Sequence, residues 1–525
     1  MNEFITNYQD EIRGTLTGFD RLVFRGSLRS ITYAEGMDKC LTLNGVLLKD
    51  FGKYAEKASK RLEEASLAEA KRLGRPIEYL RSSKIDKEEL ARKIAEQDGV
   101  KNGLVCVLRC IEPCSSFEVY RNRDKRRLEL KKRQRKCMHL YHYQFHPELG
   151  WMNARVQTWF PFSIQICLNG REWLARQLSR NQSRYVKHDN CMVWVEDWQQ
   201  AQRLMEQQLT RNWPQLLDGI AAQINPAREE ILGKWKARYY WSTYQCEWAT
   251  DVVFREGDRM RKLYERMVRH SMTALSCTDV MRYLGRRVRL DGTIPRNFTA
   301  EVVMDMKQRP EGVRIKHRIN NNSLKAYDKA FTTVGNVLRF EATTLDVSDR
   351  KAYRPKEGDP GGKLSWRPMR RGIADLHRLA EVSERATNRY MDALAQVDET
   401  STVQELVGRL TQRKQWHGQW VRGLQPFGKD NALLVAVNRG EFLLQGVRNR
   451  DLQKLLFAGA AVSVQERRRR GAWVSRQLRM LRAHGLIQKV PKTHRYQVTE
   501  SGRKILAALL AAWSARVSQL TALAA

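Results

Sequence analysis

The spacing of apolar residues changes along the chain and predicts regions of different secondary structure. Residues 1–99 are predicted to be mainly helical, and Asp86-Lys-Glu-Glu89 forms a capping box that starts a helix ending near Gln97. Between residues 100 and 170 the apolar period becomes two, which is typical of successive strands. Residues 100–235 are therefore predicted to form a β-sheet domain followed by helices.

Three further regions follow from the same patterns. Two strand-like segments, Trp241–Asp251 and Leu324–Glu341, lie within residues 236–350 and predict a central mixed sheet. Residues 351–400 combine a loop rich in proline and glycine with a long amphipathic helix, and residues 401–525 are predicted to form a separate C-terminal domain. The chain is thus predicted to be a multi-domain α+β protein with a β-rich N-terminal half.

The C-terminal domain combines helices with a short basic hairpin. A helix over Ala472–Ile487 is followed by a hairpin over Gln488–Val498 and by a last helix that starts at Thr499. This order, with the string Tyr-Gln-Val-Thr-Glu-Ser-Gly-Arg after the hairpin, resembles the winged-helix domain of bacterial MarR-like regulators. The resemblance implies that the helix reads bases in the major groove and that the hairpin contacts the DNA backbone. The alternative is a winged helix used for protein contacts. The implied DNA-binding residues are Arg476, Gln477, Arg479 and Arg482 on the helix and Lys489, Lys492 and Arg495 on the hairpin.

The charge of the chain predicts a polyanionic partner. The 525 residues include 94 Lys and Arg against 58 Asp and Glu, a net charge of +36 at pH 7. Contact with phosphates would relieve the resulting repulsion and release condensed counterions. Nucleic acid is therefore the predicted partner, with DNA favoured and RNA possible. A membrane partner is not predicted, because no amphipathic basic helix with an aromatic face and no run of about 18 apolar residues occurs.

Cysteine usage and the N-terminal segment predict a cytoplasmic protein. The nine cysteines are an odd number scattered over the chain, as expected in a reducing compartment. The first residues carry acidic side chains where a secretory signal peptide needs basic ones.

A dense run of basic residues lies between two predicted strands of the N-terminal half. Arg121–Lys136 contains ten basic residues in sixteen, interrupted by only Asp124 and Glu129. A run of this kind is commonly a solvated surface, but its density on a short hairpin favours a ribbon that contacts phosphates. The residues predicted to bind nucleic acid are Arg126, Arg127, Lys131, Lys132, Arg133 and Arg135.

The central region combines four carboxylates with one tyrosine on strand-like segments. Glu247 and Asp251 are four residues apart and therefore share one face of a strand. Tyr327 and Asp328 point to opposite faces of an ideal strand, so a bulge or a strand end would be needed to bring both to one site. Carboxylate oxygens on neighbouring strands are suitable ligands for a divalent cation, and an adjacent tyrosine can attack a phosphodiester. Glu341 is the fourth carboxylate.

The order of these residues resembles that of rolling-circle replication initiators of small plasmids and filamentous phages. The shared elements are an acid-x3-Asp strand, a Tyr-Asp-Lys strand and an Arg-Phe-Glu strand, over about a hundred residues. The resemblance implies a palm-like sheet in a DNA-nicking and strand-transfer protein of a mobile element. Two departures are Glu247 in place of the usual Asp and the lack of an acid soon after Tyr-Asp-Lys. The implied roles are Tyr327 as the nucleophile, Lys329 as the residue that steadies the phosphate, Arg339 as a further catalytic residue, and Glu247, Asp251, Asp328 and Glu341 as ligands of Mg²⁺ or Mn²⁺.

An alternative stays open from the sequence. In it, Glu341 pairs with Arg339 or Arg314, and Tyr327 is an ordinary sheet residue. The protein would then be a non-enzymatic DNA-binding regulator or would bind structured RNA, since contacts to the backbone serve either polymer. The whole chain also resembles an uncharacterised bacterial family that joins such a central region to a winged helix, which implies architecture and no activity.

Overall fold

One large sheet organises the N-terminal two thirds of the chain. The computed structural model describes residues 2–273, 275, 277–285, 300–305, 314–319, 321–329, 336–347, 350–356, 359, 361–395, 402–439, 442, 446–459, 461–490 and 493–517. The strands of the large sheet are β1 (Ile12–Ser27), β2 (Ile77–Leu80), β3 (Gly103–Asn122), β4 (Arg127–His146), β5 (Gly150–Gln157), β6 (Ile164–Asn169), β9 (Tyr240–Phe254), β10 (Ala300–Asp305), β11 (Arg314–Ile319), β12 (Asn322–Asp328) and β13 (Val337–Thr344).

The order across this sheet is β10-β11-β12-β13-β9-β1-β6-β5-β4-β3-β2. All neighbouring strands are antiparallel except β2 and β3, which are parallel, so the sheet is mixed. Together with the helices, this confirms the predicted α+β class. Shorter pairs of strands lie outside it: β7 (Tyr185–His188) with β8 (Cys191–Val195), and β14 (Lys351–Arg354) with β15 (Ser365–Pro368).

Helices pack on both faces of the sheet. The helices before the C-terminal region are α1 (Glu3–Asn7), α2 (Ala34–Leu43), α3 (Phe51–Arg72), α4 (Lys87–Gln97), α5 (Gly170–Arg180), α6 (Trp198–Thr210), α7 (Trp213–Ile224), α8 (Arg228–Leu232), α9 (Gly257–Thr273), α10 (Cys277–Tyr283) and α11 (Leu376–Ala395). Among the described residues, no helix has the length and apolar character needed to cross a bilayer.

At the β12-β13-β9 end, one face of the sheet is apolar and packs against helices. Val252, Leu338 and Phe340 on this face form a buried cluster with Met260 of α9 and Tyr390 of α11. The opposite face, called the polar face below, carries charged side chains on the same strands. This division follows from the two-residue period of a strand, which sends alternate side chains to opposite faces.

The N-terminal region differs from its prediction, because β1 lies in the middle of the sheet between β6 and β9. The predicted domain boundaries after residues 99 and 235 therefore pass through one continuous sheet. Residues 14–26 lie in β1, and packing explains two of the glycines in this segment. A Cβ on Gly14 would lie 2.2 Å from the Trp198 ring, and one on Gly18 would lie 2.4 Å from Met205 Cε. Helix α6 thus packs closely on β1 because those positions have no side chain.

The C-terminal residues form a separate hydrophobic core. The apolar cluster of this core includes Leu434, Val474, Leu478 and Leu506. A bridge between Val447 and Tyr496 adds a third short segment to the hairpin formed by Ile487–Lys489 and Tyr496–Val498. The elements are α12 (Val403–Thr411), β16 (Lys414–Trp416), β17 (Gln419–Val421), α13 (Asn431–Val437), α14 (Asn449–Leu456), α15 (Val464–Ala483), β18 (Ile487–Lys489), β19 (Tyr496–Val498) and α16 (Glu500–Ser514).

Candidate active site and nucleic-acid interface

Asp20 lies on the polar face beside β9, at a β-bulge in β1. Phe19 pairs with Trp248 and Leu22 pairs with Cys246, so two residues of β1, Asp20 and Arg21, lie opposite the single residue Glu247. A bulge of this type re-aims side chains and is common next to active sites.

Three carboxylates converge at this bulge. Asp20 on β1, Glu247 on β9 and Glu341 on β13 each offer an oxygen, and these oxygens all lie within 4.8 Å of one another. Two oxygens that bind one cation at about 2.0–2.6 Å can be at most about 5 Å apart, so the spacing fits a single divalent ion. The three residues are called the acidic cluster below. An all-oxygen ligand set suits Mg²⁺ or Mn²⁺ better than zinc.

Lys325 is the nearest ammonium to the acidic cluster. Its Nζ lies 2.5 Å from Glu341 Oε1 and 4.0 Å from Glu247 Oε1. The Thr343 hydroxyl also donates to Glu341 Oε1, at 2.8 Å. Burial favours a raised pKa for Glu341, but the Lys325 charge and these hydrogen bonds hold its pKa below the ordinary value. Glu341 is therefore an ionised carboxylate with a partner.

Glu247 has no comparable partner. Its carboxylate accepts a hydrogen bond from Gln245 Nε2 at 2.6 Å, and only 14% of its side chain is exposed. Burial and the nearby negative charge of Glu341 raise its pKa to about 7, against the opposing effect of Lys325. The acidic cluster thus carries a carboxylate whose charge the protein does not fully compensate.

Asp251 lies on the same face but outside the acidic cluster, contrary to the predicted ligand set. Arg339 donates to both of its oxygens, at 2.5 and 2.9 Å, and Arg171 donates to Oδ2 at 2.9 Å. Burial opposes the shift, yet the two guanidinium groups lower the pKa of Asp251 to about 2. Both oxygens of Asp251 therefore have guanidinium partners. Four residues along β9 from Glu247, the polar face is covered by α5, α6 and the β7–β8 hairpin.

Arg339 connects the Asp251 pair to the acidic cluster. It is 1% exposed, and its Nη1 donates to Asp20 Oδ2 at 3.0 Å while Nη2 donates to the Asn190 carbonyl at 2.7 Å. Arg171 is fully buried and also donates to the carbonyls of Gly18 and Phe19. Both arginines therefore hold carboxylates and backbone in place, and Arg339 acts as a positioning residue.

Tyr327 lies on the polar face beside the acidic cluster. It is two residues from Lys325 on β12 and pairs across the sheet with Arg339. It is 4% exposed, and its ring is 5.9 Å from Lys325 Nζ and 5.7 Å from Lys329 Nζ. Burial and the charge of Glu341 raise its pKa, while Lys325 opposes the shift.

Asp328 and Lys329 have other surroundings than those predicted for a metal ligand and a phosphate contact. The pairing of β12 with its neighbours is regular through Asp328, so this carboxylate lies on the apolar face, where it helps to raise the pKa of Tyr264. Lys329 Nζ donates to Asn190 Oδ1 at 3.0 Å and lies 3.9 Å from Asp189. It therefore attaches the sheet to the β7–β8 hairpin.

Strands β3 and β4 form one continuous hairpin with a basic end. Residues 131–136 of β4 are all exposed, although Ser116 and Phe117 on β3, which pair with Arg133 and Lys132, are buried. Glu118 pairs with Arg133 at 2.6 Å, and Glu129 pairs with Arg127 at 2.9 Å. Lys132 makes no ion pair within the described chain. The predicted residues Arg126, Arg127, Lys131, Lys132, Arg133 and Arg135 are all exposed.

The predicted DNA-reading residues of the C-terminal domain fall into different environments. Arg476 and Arg479 are exposed on α15, and Arg482 is half-buried with its guanidinium 4.8 Å from the Trp416 ring. Gln477 is buried at 9% exposure and lies between the inward residues Val474 and Leu478. Its position on the inward stripe removes it from a groove-facing surface, which corrects the prediction. Lys489 is exposed, Arg495 is half-buried, and Lys492 lies outside the described residues.

Asp20, Arg171 and Lys325 were not among the predicted site residues. The sequence did indicate Asp20, since it is an isolated acid in the apolar segment Gly18–Phe24. No sequence pattern indicated the pairing of Arg171 with Asp251 or of Lys325 with Glu341, because each pair joins residues that are distant in sequence or on different strands. Comparisons of the chain with models of protein families, with curated proteins and with solved structures find no match.

Proposed function

We propose that this protein binds nucleic acid and performs metal-dependent phosphodiester chemistry at the acidic cluster. The observation that carries the proposal is the convergence of Asp20, Glu247 and Glu341 within 4.8 Å, beside Tyr327. In this proposal Asp20 replaces Asp251 and Asp328 as the third ligand. The central strands then correspond to the palm-like sheet, and the protein to a DNA-nicking and strand-transfer protein of a mobile element.

The residues around the cluster support a division of roles. Asp20, Glu247 and Glu341 would hold Mg²⁺ or Mn²⁺, which would polarise the scissile phosphate. Arg339 and the side chains of Asn169 and Asn190 hold the Asp20 carboxylate in position. Lys325 lies between Glu341 and Tyr327 and favours loss of the tyrosine proton.

The chemical step transfers the strand to the protein. Tyr327 Oη forms a bond to phosphorus, and the bond from phosphorus to one sugar oxygen breaks. The phenolic proton passes through solvent to the leaving sugar oxygen, so that atoms and charge balance. The product is a phosphotyrosyl link, which conserves the bond energy for strand transfer.

Two surfaces support the choice of nucleic acid. The basic end of the β3–β4 hairpin presents lysines and arginines to solvent. In the C-terminal region, α15 with its exposed Arg476 and Arg479, the hairpin and the Val447 segment correspond to a winged helix. The hairpin would contact backbone, and α15 would enter the major groove of duplex DNA.

The decisive experiment is detection of a covalent protein–DNA adduct. Single-stranded oligonucleotides incubated with the protein and Mn²⁺ should give an adduct that survives denaturing electrophoresis. Tyr327→Phe should bind DNA but give no adduct. Tyr264→Phe is the matched control, because this buried tyrosine lies on the apolar face and donates to the Ala326 carbonyl at 3.0 Å. It should keep the adduct. An adduct that persists in Tyr327→Phe places the nucleophile elsewhere.

A second function is favoured by the burial of Tyr327 and by the close pair of Lys325 with Glu341. In this alternative the cluster is structural, and the protein is a DNA-binding regulator or binds structured RNA. A wild-type protein that binds these polymers but forms no adduct and cleaves neither DNA nor RNA would establish the alternative.

A further inference from the structure

A cavity of about 140 Å³ opens on the polar face, and its lining residue on β9 is Tyr244, three residues from Glu247. It lies where β9, β1, β6, β5, β4 and β3 run side by side, and its walls include residues from each of them. A cavity of about 150 Å³ can hold a ring the size of benzene. The space therefore suits one six-membered ring. The lining residues used below are Arg25, His139, Arg155, Gln157, Gln165 and Tyr244.

Two buried side chains give the cavity hydrogen-bond acceptors. His139 is 2% exposed, and its Nδ1 donates to the Cys137 carbonyl at 3.2 Å, which leaves Nε2 of the neutral ring as an acceptor. Burial and the nearby charge of Arg155 lower the pKa of His139 to about 4, so the ring is neutral at neutral pH. Gln157 is 5% exposed, and its Nε2 donates to three carbonyls, which leaves Oε1 as an acceptor.

Donors lie beside these acceptors. Arg155 donates from Nη1 to Gln165 Oε1 at 3.2 Å and pairs with Glu112 through Nη2 at 3.2 Å. Its Nε is buried with no hydrogen-bond partner among the described residues. The bond to Gln165 Oε1 fixes this amide so that its NH₂ group remains a donor. Arg25 is exposed and makes no ion pair within the described chain.

An aromatic ring stands at the mouth of the cavity. A second irregularity between β1 and β9 pairs Val23 with Gln245 and Phe24 with Thr243, which leaves Tyr244 as an extra residue. Tyr244 is 41% exposed, as expected for a side chain that a bulge turns outward. It lies three residues from Glu247 on β9, or about 10 Å along the strand.

We propose that this cavity binds one unpaired nucleobase, with Tyr244 stacking on the base and a pyrimidine fitting the available space. A phosphate would be served by donors alone, whereas this cavity offers acceptors and donors together, as the edge of a base requires. The inference rests on the proposed nucleic-acid function. It adds that the strand lies single-stranded on the polar face and enters the acidic cluster with one base held beside it.

The test compares oligonucleotides with and without bases. Affinities of the full-length protein are measured by fluorescence anisotropy, without divalent ions, for oligo(dT), oligo(dA), an abasic oligomer of equal length and the RNA counterpart oligo(U). Wild type should bind oligo(dT) about 5- to 150-fold more tightly than the abasic oligomer, the range expected for one stacked base. Oligo(dT) should also bind more tightly than oligo(dA). The oligo(U) measurement distinguishes RNA from DNA as the source of the base.

Substitutions locate the effect. Tyr244→Ala should reduce the affinity for oligo(dT) to nearly that for the abasic oligomer, whose own affinity should not change. Tyr79→Ala is the matched control, because Tyr79 is 52% exposed on the edge strand β2, and both affinities should be unchanged. Gln165→Leu should weaken the binding of oligo(dT) but not that of the abasic oligomer, since it removes a donor to the base without emptying the cavity.

The outcomes separate this inference from the proposed function. Equal wild-type affinities for oligo(dT) and the abasic oligomer, or an equal loss on both in Tyr244→Ala, would overturn the base pocket even if the Tyr327 adduct forms. A base preference that depends on Tyr244 would uphold the pocket even if no adduct forms. No binding of any single strand would overturn both.

Discussion

The two charged clusters of the polar face use the same residue types but differ in charge balance. Around Asp251, Arg171 and Arg339 occupy both carboxylate oxygens, and none of the three side chains is more than 1% exposed. Around Glu247, Asp20 pairs with Arg339 and Glu341 pairs with Lys325, whereas Glu247 has no comparable partner and its pKa rises to about 7. The carboxylate of Asp251 is therefore fully paired, while that of Glu247 is not. Burial alone does not distinguish the two carboxylates, but their cationic partners do.

The largest expected loss of stability comes from removing one cationic partner of Asp251. Arg339→Met should leave Asp251 with a single partner and take from Asp20 one of its donors. Removing one member of a buried ion pair typically costs about 3–5 kcal/mol. Urea unfolding should show a loss of this size. Arg184→Met, which removes an exposed pair with Glu196, should cost less than about 1 kcal/mol. A small loss in Arg339→Met would mean that the cluster is not a stabilising element.

Removal of the Glu247 charge is expected to raise the stability of the folded protein instead of lowering it. Burial and the charge of Glu341 raise its pKa from the ordinary 4.5 to about 7, so the folded state holds a proton that the unfolded state releases between these pH values. Without metal, stability should fall as the pH rises through this window, by at most about 1.4 kcal/mol per unit. Glu247→Gln should remove this dependence and be more stable than wild type at pH 8. Urea unfolding from pH 5 to 8 measures it. If Glu247→Gln were less stable than wild type at pH 8, the Glu247 charge would not be destabilising in the folded protein, contrary to this prediction.

Cation binding sharpens the same distinction. Mn²⁺ at about 100 times its Kd should stabilise wild type by about 2.7 kcal/mol, seen as a rise in Tm. Below pH 7 the affinity should fall by up to about tenfold per pH unit, because the ion competes with the Glu247 proton. Asp20→Asn, Glu247→Gln and Glu341→Gln should each weaken the effect, while Glu118→Gln, which is outside the cluster, should not. Equal Mn²⁺ stabilisation in all four variants would exclude the cluster as the site.

The smallest expected effect concerns the basic hairpin, whose charges are exposed. Replacing Lys131, Lys132 and Arg133 with Ala should reduce the slope of log K against log salt by about 0.9 per lost contact on duplex and about 0.7 on single strands. Arg133 and Lys131 lie 2.6 and 3.9 Å from Glu118, so Lys132→Ala alone should account for a clear part of the change. Arg184→Ala serves as the control for loss of a distant positive charge. An unchanged slope would make this hairpin a solvated surface.

Local patterns in the sequence predicted part of this molecule. The α+β class and the strands that carry Glu247, Tyr327 and Glu341 followed from alternation, which depends on neighbouring residues. The position of β1 in the middle of the sheet did not, because it depends on pairing with β6 and β9, which are distant in the chain. The helical period also places Gln477 on the inward stripe, although its polarity favoured the surface.

The membership of the acidic cluster depended on strand pairing that no short pattern reveals. Glu247 and Glu341 were predicted as ligands, and Asp20 joins them because β1 pairs with β9 so that Asp20 and Arg21 lie opposite Glu247. Conversely, the regular pairing of β12 keeps Asp328 away from the site, and Arg171 from α5 occupies Asp251. Register and long-range pairing, not residue type, decided which carboxylates meet.

The central position of β1 has a consequence for biosynthesis. Leu16 pairs with Asp251, so β1, which is synthesised before its partners, cannot complete its hydrogen bonds until β6 and β9 have been made. At about 5–20 residues per second, that delay is on the order of ten to fifty seconds. During it, an amphipathic strand has two unpaired edges, a condition that favours aggregation. Folding of this chain should therefore be slow and dependent on chaperones, and a destabilised β1 should lower the yield of soluble protein before it changes any activity.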